Sequence, residues 1–586
     1  MLPRFLAFLA APLLLAGCTA GPRTTSTPPP RFDRGMVSAA DPRAAEAGAE
    51  MLRQGGSATD AALATLLALT VVEPQSSGIG GGGFYVADDG KGHVDTIDGR
   101  ETAPQAAGPD WFRMNGQYLS VPQAIPGGLS VGVPGNLRLM ELAHQRHGRL
   151  PWKALFQPAI RLARDGFAVS PRLNQFLERA MRTGALTAEG RALYYLPEEQ
   201  WQDPKNPVIF IEGYGKPKPA GETIRNPALA SFLETLAAKG PGAFYAGANA
   251  QAVTTAVNTA PFNPAPMKPA DLAAYRARQR PPVCVSYRAY RLCGMGPPSS
   301  GATTVFGVLG LLEHFDLHGL GKDNPVSWHL IAEAQRLTYA DRERYLADSD
   351  FVPVPVAGLL APDYLAARAQ LIAQDRTMAS VAPGNPQGVK VTQADTLTPD
   401  VPSTSHFVAV DRSGAAVSLT STVESAFGSG LMANGYFLNN ELTDFSLVPQ
   451  RDGKPVANRV EGGKRPRSAM SPTLVYGPDG KLRLAIGAAG GATIPAQVLK
   501  AIIGVVDWDL SAQQAIALPV IFAPGGNTVF LEKGTALEAM APALTALGHT
   551  DLQPREASFK ANAVEVQGGH LQGAADPRSE GRAVGE

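Results

Sequence analysis

Neither sign of charge is in excess in this 586-residue chain: 52 lysines and arginines meet 52 aspartates and glutamates. No block of like charge interrupts them, so there is no basic face for nucleic acid. The apolar run FLAFLAAPLLLA near the N-terminus falls short of the roughly 20 residues that a membrane-spanning helix needs. No internal repeat is present. Histidines are few, and the close pair His314 and His318 in HFDLHG lacks the H-E-x-x-H pattern of a metalloprotease, which leaves two solvated histidines at a helix end. Cysteine is scarcest, with three in all: Cys18, Cys284 and Cys293.

What is present is a folded composition, with 44% hydrophobic and 18% charged residues. The length exceeds what one hydrophobic core usually serves, so two domains or one large two-layer unit are expected. MLPR and the apolar run after it read as a signal peptide over residues 1–17. The run ends in LAGC, which resembles a bacterial lipobox with Cys18 as the lipidated residue; the alternative is an ordinary signal peptide with an incidental cysteine. Thr19 in place of Asp implies, by the same resemblance, sorting to the outer membrane. Residues 18–34 then read as a polar tether with nothing to bury. Cys284 and Cys293 fall opposite each other if PPVCVSYRAYRLCG folds as a hairpin turning at Arg288–Ala289. A disulfide and two buried thiols are both compatible with that register.

SSGIGGGGFYV holds five glycines in six positions, and Gly78, Gly80 and Gly83 fit the G-x-G-x-x-G spacing. That fingerprint needs a strand before it and a helix after it. Here the order is reversed. SATDAALATLLALTVVEP reads as a helix capped by Ser57, and FYVADDGKGHVDTID reads as two strands around a turn. The glycines therefore read as points of close packing, not as phosphate donors. Ser130 in GLSVG matches a nucleophile elbow in letters only, because Val133-Pro134-Gly135 intervenes before any helix. SWHLIAEAQRLTYADRERYLADSD reads as an amphipathic helix. TSHFVAVDRSGAAVSLTSTV and SPTLVYGPDGKLRLAIGA read as hairpins, and GATIPAQVLKAIIGVVDWDL as a helix opening after glycines. Helix-rich and strand-rich blocks together give an α+β layered fold.

At PDVPSTSHFVAVD a loop with two prolines delivers Thr404 to the start of a hydrophobic strand. Eighteen residues later TSTVESAFGSG sets Thr422 on the partner strand. YFLNNELTDFS, KRPRSAMSPT and AIGAAGGAT follow. With VVEPQSSGIGGGGFYV, IDGRETAP, PPSSGA and AEAQRLTYADRERYLADSDFVPVPV, these segments resemble the γ-glutamyltranspeptidases, or glutathione hydrolases, from about Gly35 to GAADPRS near the C-terminus.

The resemblance implies an N-terminal-nucleophile hydrolase fold, a four-layer αββα sandwich. It implies a precursor that cuts itself between Ser403 and Thr404 into a large subunit, residues 35–403, and a small subunit, residues 404–586. Thr404 would then be the nucleophile, with its own freed α-amine, of ordinary pKa about 7.7–8.0, as the base. Thr422 would orient it. Gly490 and Gly491 would form the oxyanion hole. Arg100 and Ser468 would hold the substrate's α-carboxylate, and Glu441 and Asp444 its α-ammonium. Two positions depart from the family's habit: Ala469 replaces a frequent second serine, and Glu424 replaces an amide. The lid segment LVPQRDGKPVANRVEGGKRP has no aromatic residue to close over the pocket. The implied activity is hydrolysis and transfer of γ-glutamyl amides such as glutathione, in the periplasm, with water, amino acids or peptides as acceptors and with no metal or organic cofactor. A relative that removes acyl groups from β-lactam side chains and a self-cleaving surface lipoprotein without turnover are the alternatives.

Overall fold

The computed structural model describes residues 33–183, 186–197, 215–388, 393–395 and 403–586. The expected signal peptide, Cys18 and nearly all of the tether lie outside them. In chain order come β1 (Met36–Ala39), α1 (Pro42–Arg53), α2 (Ala58–Val72), β2 (Gly82–Asp88), β3 (Val94–Gly99) and α3 (Asn136–His147). A mainly helical stretch leads to β4 (Arg278–Arg280), β5 (Val283–Tyr287), β6 (Tyr290–Gly294), α4 (Gly301–Leu312) and α5 (Pro325–Tyr345). The last third holds β7 (Ser405–Val410), β8 (Ala416–Thr422), β9 (Thr473–Tyr476), β10 (Leu482–Ala489), α6 (Ile494–Val506), β11 (Lys560–Gln567), β12 (His570–Ala575) and β13 (Arg582–Gly585).

These strands form two stacked sheets. One runs β13-β1-β7-β8-β2-β3-β4, the other β12-β11-β10-β9-β6-β5. Side chains of the central strands alternate between two cores, as a strand's period of two requires. Val408 and Val410 of β7, with Phe84 and Val86 of β2, pack against Leu474, Leu484 and Ile486 of the second sheet. Phe407, Ala409 and Tyr85 face the other way, onto α1 and α2. α3 packs on β2 and β3, while α4 and α6 cover the second sheet. The order is helix, sheet, sheet, helix, the expected four-layer sandwich.

Local sequence accounts for the elements beneath the site. The Ser57 hydroxyl accepts from the Asp60 amide, and the Asp60 carboxylate accepts from the Ser57 amide, so a full capping box starts α2. α2 is buried along its whole length, which its run of Ala, Leu and Val allows. α5 differs from expectation. It is buried on nearly all sides, and its charged residues are paired inside: Arg336 with Glu333, and Asp341 with Arg368. An apolar stripe read from the sequence does not reveal charges neutralised by distant partners. Cys284 and Cys293 sit opposite each other across β5–β6 and are joined as a disulfide, so the two-thiol alternative falls. The Ser130 hydroxyl donates to the Ile125 and Gly127 carbonyls inside a short buried turn, a structural role. His318 bonds the Asp507 carbonyl with a largely exposed ring.

Candidate active site

Thr404 stands one residue before β7, and Thr422 ends β8, its antiparallel partner. The pairing of Ser405 with Ser421 brings the two threonines to the same end of the sheet. Thr404 Oγ1 donates to Thr422 Oγ1 at 3.0 Å, and the Glu424 amide donates to the same oxygen at 2.8 Å. Both threonines are buried. Thr404 has φ 100°, a left-handed backbone that a β-branched residue adopts only under strain.

The glycine run explains how β8 is reached. A Cβ on Gly81 would lie 1.9 Å from the Thr422 carbonyl oxygen, and one on Gly80 2.0 Å from that of Phe437. A Cβ on Gly82 would meet the Glu101 carboxylate at 2.4 Å. These glycines let three backbone segments close under the nucleophile, as the sequence suggested.

One pocket is walled by Thr404, Thr422, Arg100, Asp444 and Glu424, with Ser468, Ala469 and Gly491 completing it. Arg100 follows β3 directly. Its guanidinium donates to the Pro466 and Arg467 carbonyls and pairs with both Glu441 and Asp444. The acids lie on a single 3-10 turn, Glu441–Asp444. Two asparagines aim that turn. The Asn439 side chain accepts from the Glu441 and Gly132 amides, and the Asn440 side chain accepts from the Ser425 amide at 2.7 Å. Ser468 is set by the PPSSGA loop: its carbonyl accepts from the amide and the hydroxyl of Ser300, and its amide donates to Pro298.

Glu424 belongs to the same cluster, for oxygens of Glu424, Glu441 and Asp444 lie within 4.8 Å of one another. Burial, and then the Asp444 and Glu441 charges, push the Glu424 carboxyl well above the usual carboxylate range. Burial also pushes Glu441 up, to about 7, although Arg100 pulls it down. Burial opposes the charge on Arg100, but Glu441 and Asp444 outweigh it and hold the group above its ordinary value.

One glycine of a consecutive pair reaches the pocket. Gly490 and Gly491 follow β10 at φ 135° and 60° and precede α6. Gly491 faces the pocket, whereas Gly490 borders an adjoining hollow lined by Phe522, Phe530 and Phe559.

The profile of the family described as Gamma-glutamyltranspeptidase matches residues 44–586. The chain belongs to that family. A glutathione hydrolase proenzyme of Bacillus subtilis (strain 168) is 34% identical over 98% of this chain and 97% of its own length. Acylase ACY 1 proenzyme of Pseudomonas sp. (strain SE83) is 33% identical over 96% of this chain and 95% of its own. The crystal structure of a cephalosporin acylase from Bacillus halodurans superposes with a TM-score of 0.81, covering 97% of this chain and 99% of that one, at 24% identity. That likeness establishes the fold, the four-layer αββα sandwich.

Some residues in and behind this pocket were not singled out from the sequence. Glu101 is wholly buried beside Glu441, with Arg100 3.9 Å away. Burial and then the Glu441 charge hold its carboxyl well above the usual carboxylate range. It lay in the quoted motif IDGRETAP, next to Arg100. Arg467 and Arg342 also line the pocket. Arg467 donates to the Arg342 carbonyl and pairs with Glu343. RPRSAM and YADRERYL carried them, but nothing in their spacing ranked them above neighbouring arginines.

Proposed function

We propose that this chain is a self-processing γ-glutamyl hydrolase and transferase that acts on γ-glutamyl amides such as glutathione. The observation that carries the reading is the Thr404–Thr422 hydroxyl pair beside a buried Arg100–Glu441–Asp444 cluster. An α-amino acid headgroup carries one carboxylate and one ammonium. It complements that cluster in sign, with its carboxylate on Arg100 and Ser468 and its ammonium on Glu441 and Asp444.

In self-cleavage the Thr404 hydroxyl attacks the Ser403 carbonyl carbon. The C–O bond forms, the C–N bond breaks, and the hydroxyl proton ends on the released amine. Water then hydrolyses the ester and leaves a carboxylate on Ser403. Strain of about 1–3 kcal/mol at the left-handed Thr404 backbone favours this step. In turnover the freed amine takes the Thr404 proton as the hydroxyl attacks the donor's γ-carbonyl. Amides at Gly490–Gly491 stabilise the oxyanion. The amine returns the proton to the leaving nitrogen, and water or an acceptor amine then opens the γ-glutamyl ester.

The acylase reading is disfavoured by Glu441 and Asp444, because an acyl group without an ammonium leaves both carboxylates sharing Arg100 and adds no positive charge beside them. The processed protein should release chromophore from a γ-glutamyl anilide much faster than from the glutaryl anilide, which lacks only the amine. Preference for the glutaryl compound would establish the acylase instead, and no turnover of either would leave a self-cleaving lipoprotein. We further propose export with a lipid anchor at Cys18, holding the enzyme at the periplasmic face of the outer membrane. No helix among the described residues is long and apolar enough to cross a membrane.

A further inference from the structure

A second buried charge pair lies behind the nucleophile and takes no part in the chemistry above. Lys560 opens β11, and Glu73 ends α2 as its C-cap. Both side chains are almost completely inaccessible. Lys560 Nζ donates to Glu73 Oε2 at 2.9 Å and Oε1 at 3.3 Å, to Ser76 Oγ at 3.2 Å and to Ser405 Oγ at 3.3 Å. The Ser405 hydroxyl donates in turn to Glu73 Oε2 at 2.5 Å. A lone buried charge costs several kcal/mol, so this cluster holds only if each member stays in place.

The cluster grips the residue after Thr404, and the same loop grips the residue before it. The Ser403 hydroxyl donates to the Gln75 carbonyl at 2.6 Å. The Val423 and Phe427 amides donate to the Ser76 and Gln75 carbonyls, and the Ser77 hydroxyl donates to Ser421 Oγ at 2.8 Å. Residues 73–77 thus touch both neighbours of Thr404 and both neighbours of Thr422. The strained Thr404 backbone stands between two anchored serines.

We infer that Glu73 and Lys560 are positioning residues, a clamp that sets Thr404 against Thr422 through Ser405 for both self-cleavage and turnover. The inference rests on Thr404 being the nucleophile. A clamp of this kind acts on the attacking oxygen and leaves the Arg100 pocket alone, so it governs kcat and not KM. A nucleophile displaced by a fraction of an ångström loses between about tenfold and about a hundredfold in rate.

The test compares Ser405→Ala, Lys560→Met and Glu73→Gln/Lys560→Met in the full chain, with Thr404→Ala as control. The rate of cutting at Ser403–Thr404 is followed by intact mass. For the cut fraction, kcat and KM are measured with a γ-glutamyl anilide. Ser405→Ala removes one buried hydroxyl and keeps the ion pair, so it folds even if Lys560→Met does not. The double variant leaves no unpaired buried charge. All three should cut at least about tenfold more slowly and show a similar fall in kcat, with KM within about twofold. Wild-type cutting and kcat in Ser405→Ala, recovery of both in the double variant, or a rise in KM matching the fall in kcat would each overturn the clamp. Cutting in Thr404→Ala would instead overturn the nucleophile assignment on which it rests.

Discussion

At the scale of single residues, the site is a problem of charge in a small buried space. Glu424, Glu441 and Asp444 share one cluster, and Arg100 pairs with Glu441 and Asp444. Three like charges cannot all ionise there, and burial keeps Glu424 and Glu441 raised. A donor's ammonium supplies the missing positive charge and draws those carboxyls into their ionised form, so binding releases a proton. The direction follows. Glu441 crosses at about 7, so amine recognition weakens as the pH falls below that value. KM for a γ-glutamyl anilide should rise from pH 8 to pH 6, within about one unit of that crossing, while KM for the glutaryl analogue stays flat. Glu424→Gln, close in shape and neutral at every pH, should flatten the profile and narrow the preference for the amine. A profile unchanged in Glu424→Gln would assign the titration to Glu441 alone. Ala469 acts at the other end of the headgroup. A hydroxyl there adds one donor to the carboxylate, worth about 0.5–1.5 kcal/mol, so Ala469→Ser should lower KM for both anilides.

At the scale of elements, the close approach of β2 to β8 is the decisive contact. Gly81→Ala sets a methyl 1.9 Å from the Thr422 carbonyl, and backbone on both sides gives little room. It should cost roughly 1–3 kcal/mol of stability and slow self-cleavage, read from thermal melts and intact mass. The disulfide on β5–β6 joins cysteines only nine positions apart, at the edge of the second sheet. Cys284→Ala/Cys293→Ala should therefore lower the melting temperature by an amount matching about 2–3 kcal/mol and leave kcat unchanged. Most elements were legible because their signals are local. Ser57 with Asp60 marks the start of α2, the turn at Arg288–Ala289 fixes the register of the cysteines, and the glycines fit only a close packing. Glu101, Glu73 and Lys560 were not legible as a site. Each is a charged residue whose meaning comes from burial and from partners far away in sequence, and a lysine opening a strand reads as solvent-facing until the first sheet is stacked on it.

At the scale of the whole molecule, the two parts expected from self-cleavage interleave. β7 and β8, from the last third of the chain, lie between β1 and β2 from the first, and β9 pairs β6 in the other sheet. A cut at Ser403–Thr404 severs one peptide bond and leaves every ladder intact, so the two chains should co-elute as one particle and separate only on denaturation. The proposed anchor at Cys18 has its own test: Cys18→Ala should move the protein from the membrane to the soluble fraction with its kcat unchanged, whereas unchanged partitioning would show that LAGC is no lipobox. The account turns on one covalent event, the γ-glutamyl ester on Thr404. The direct measurement is an acid quench of the processed protein during turnover of a γ-glutamyl anilide, followed by mass analysis of the peptide that begins at Thr404. The predicted result is that peptide heavier by one γ-glutamyl group, with the excess mass on Thr404 and lost on chasing with water. An unmodified Thr404 peptide while chromophore is released, or the γ-glutamyl group on another residue, would contradict the account.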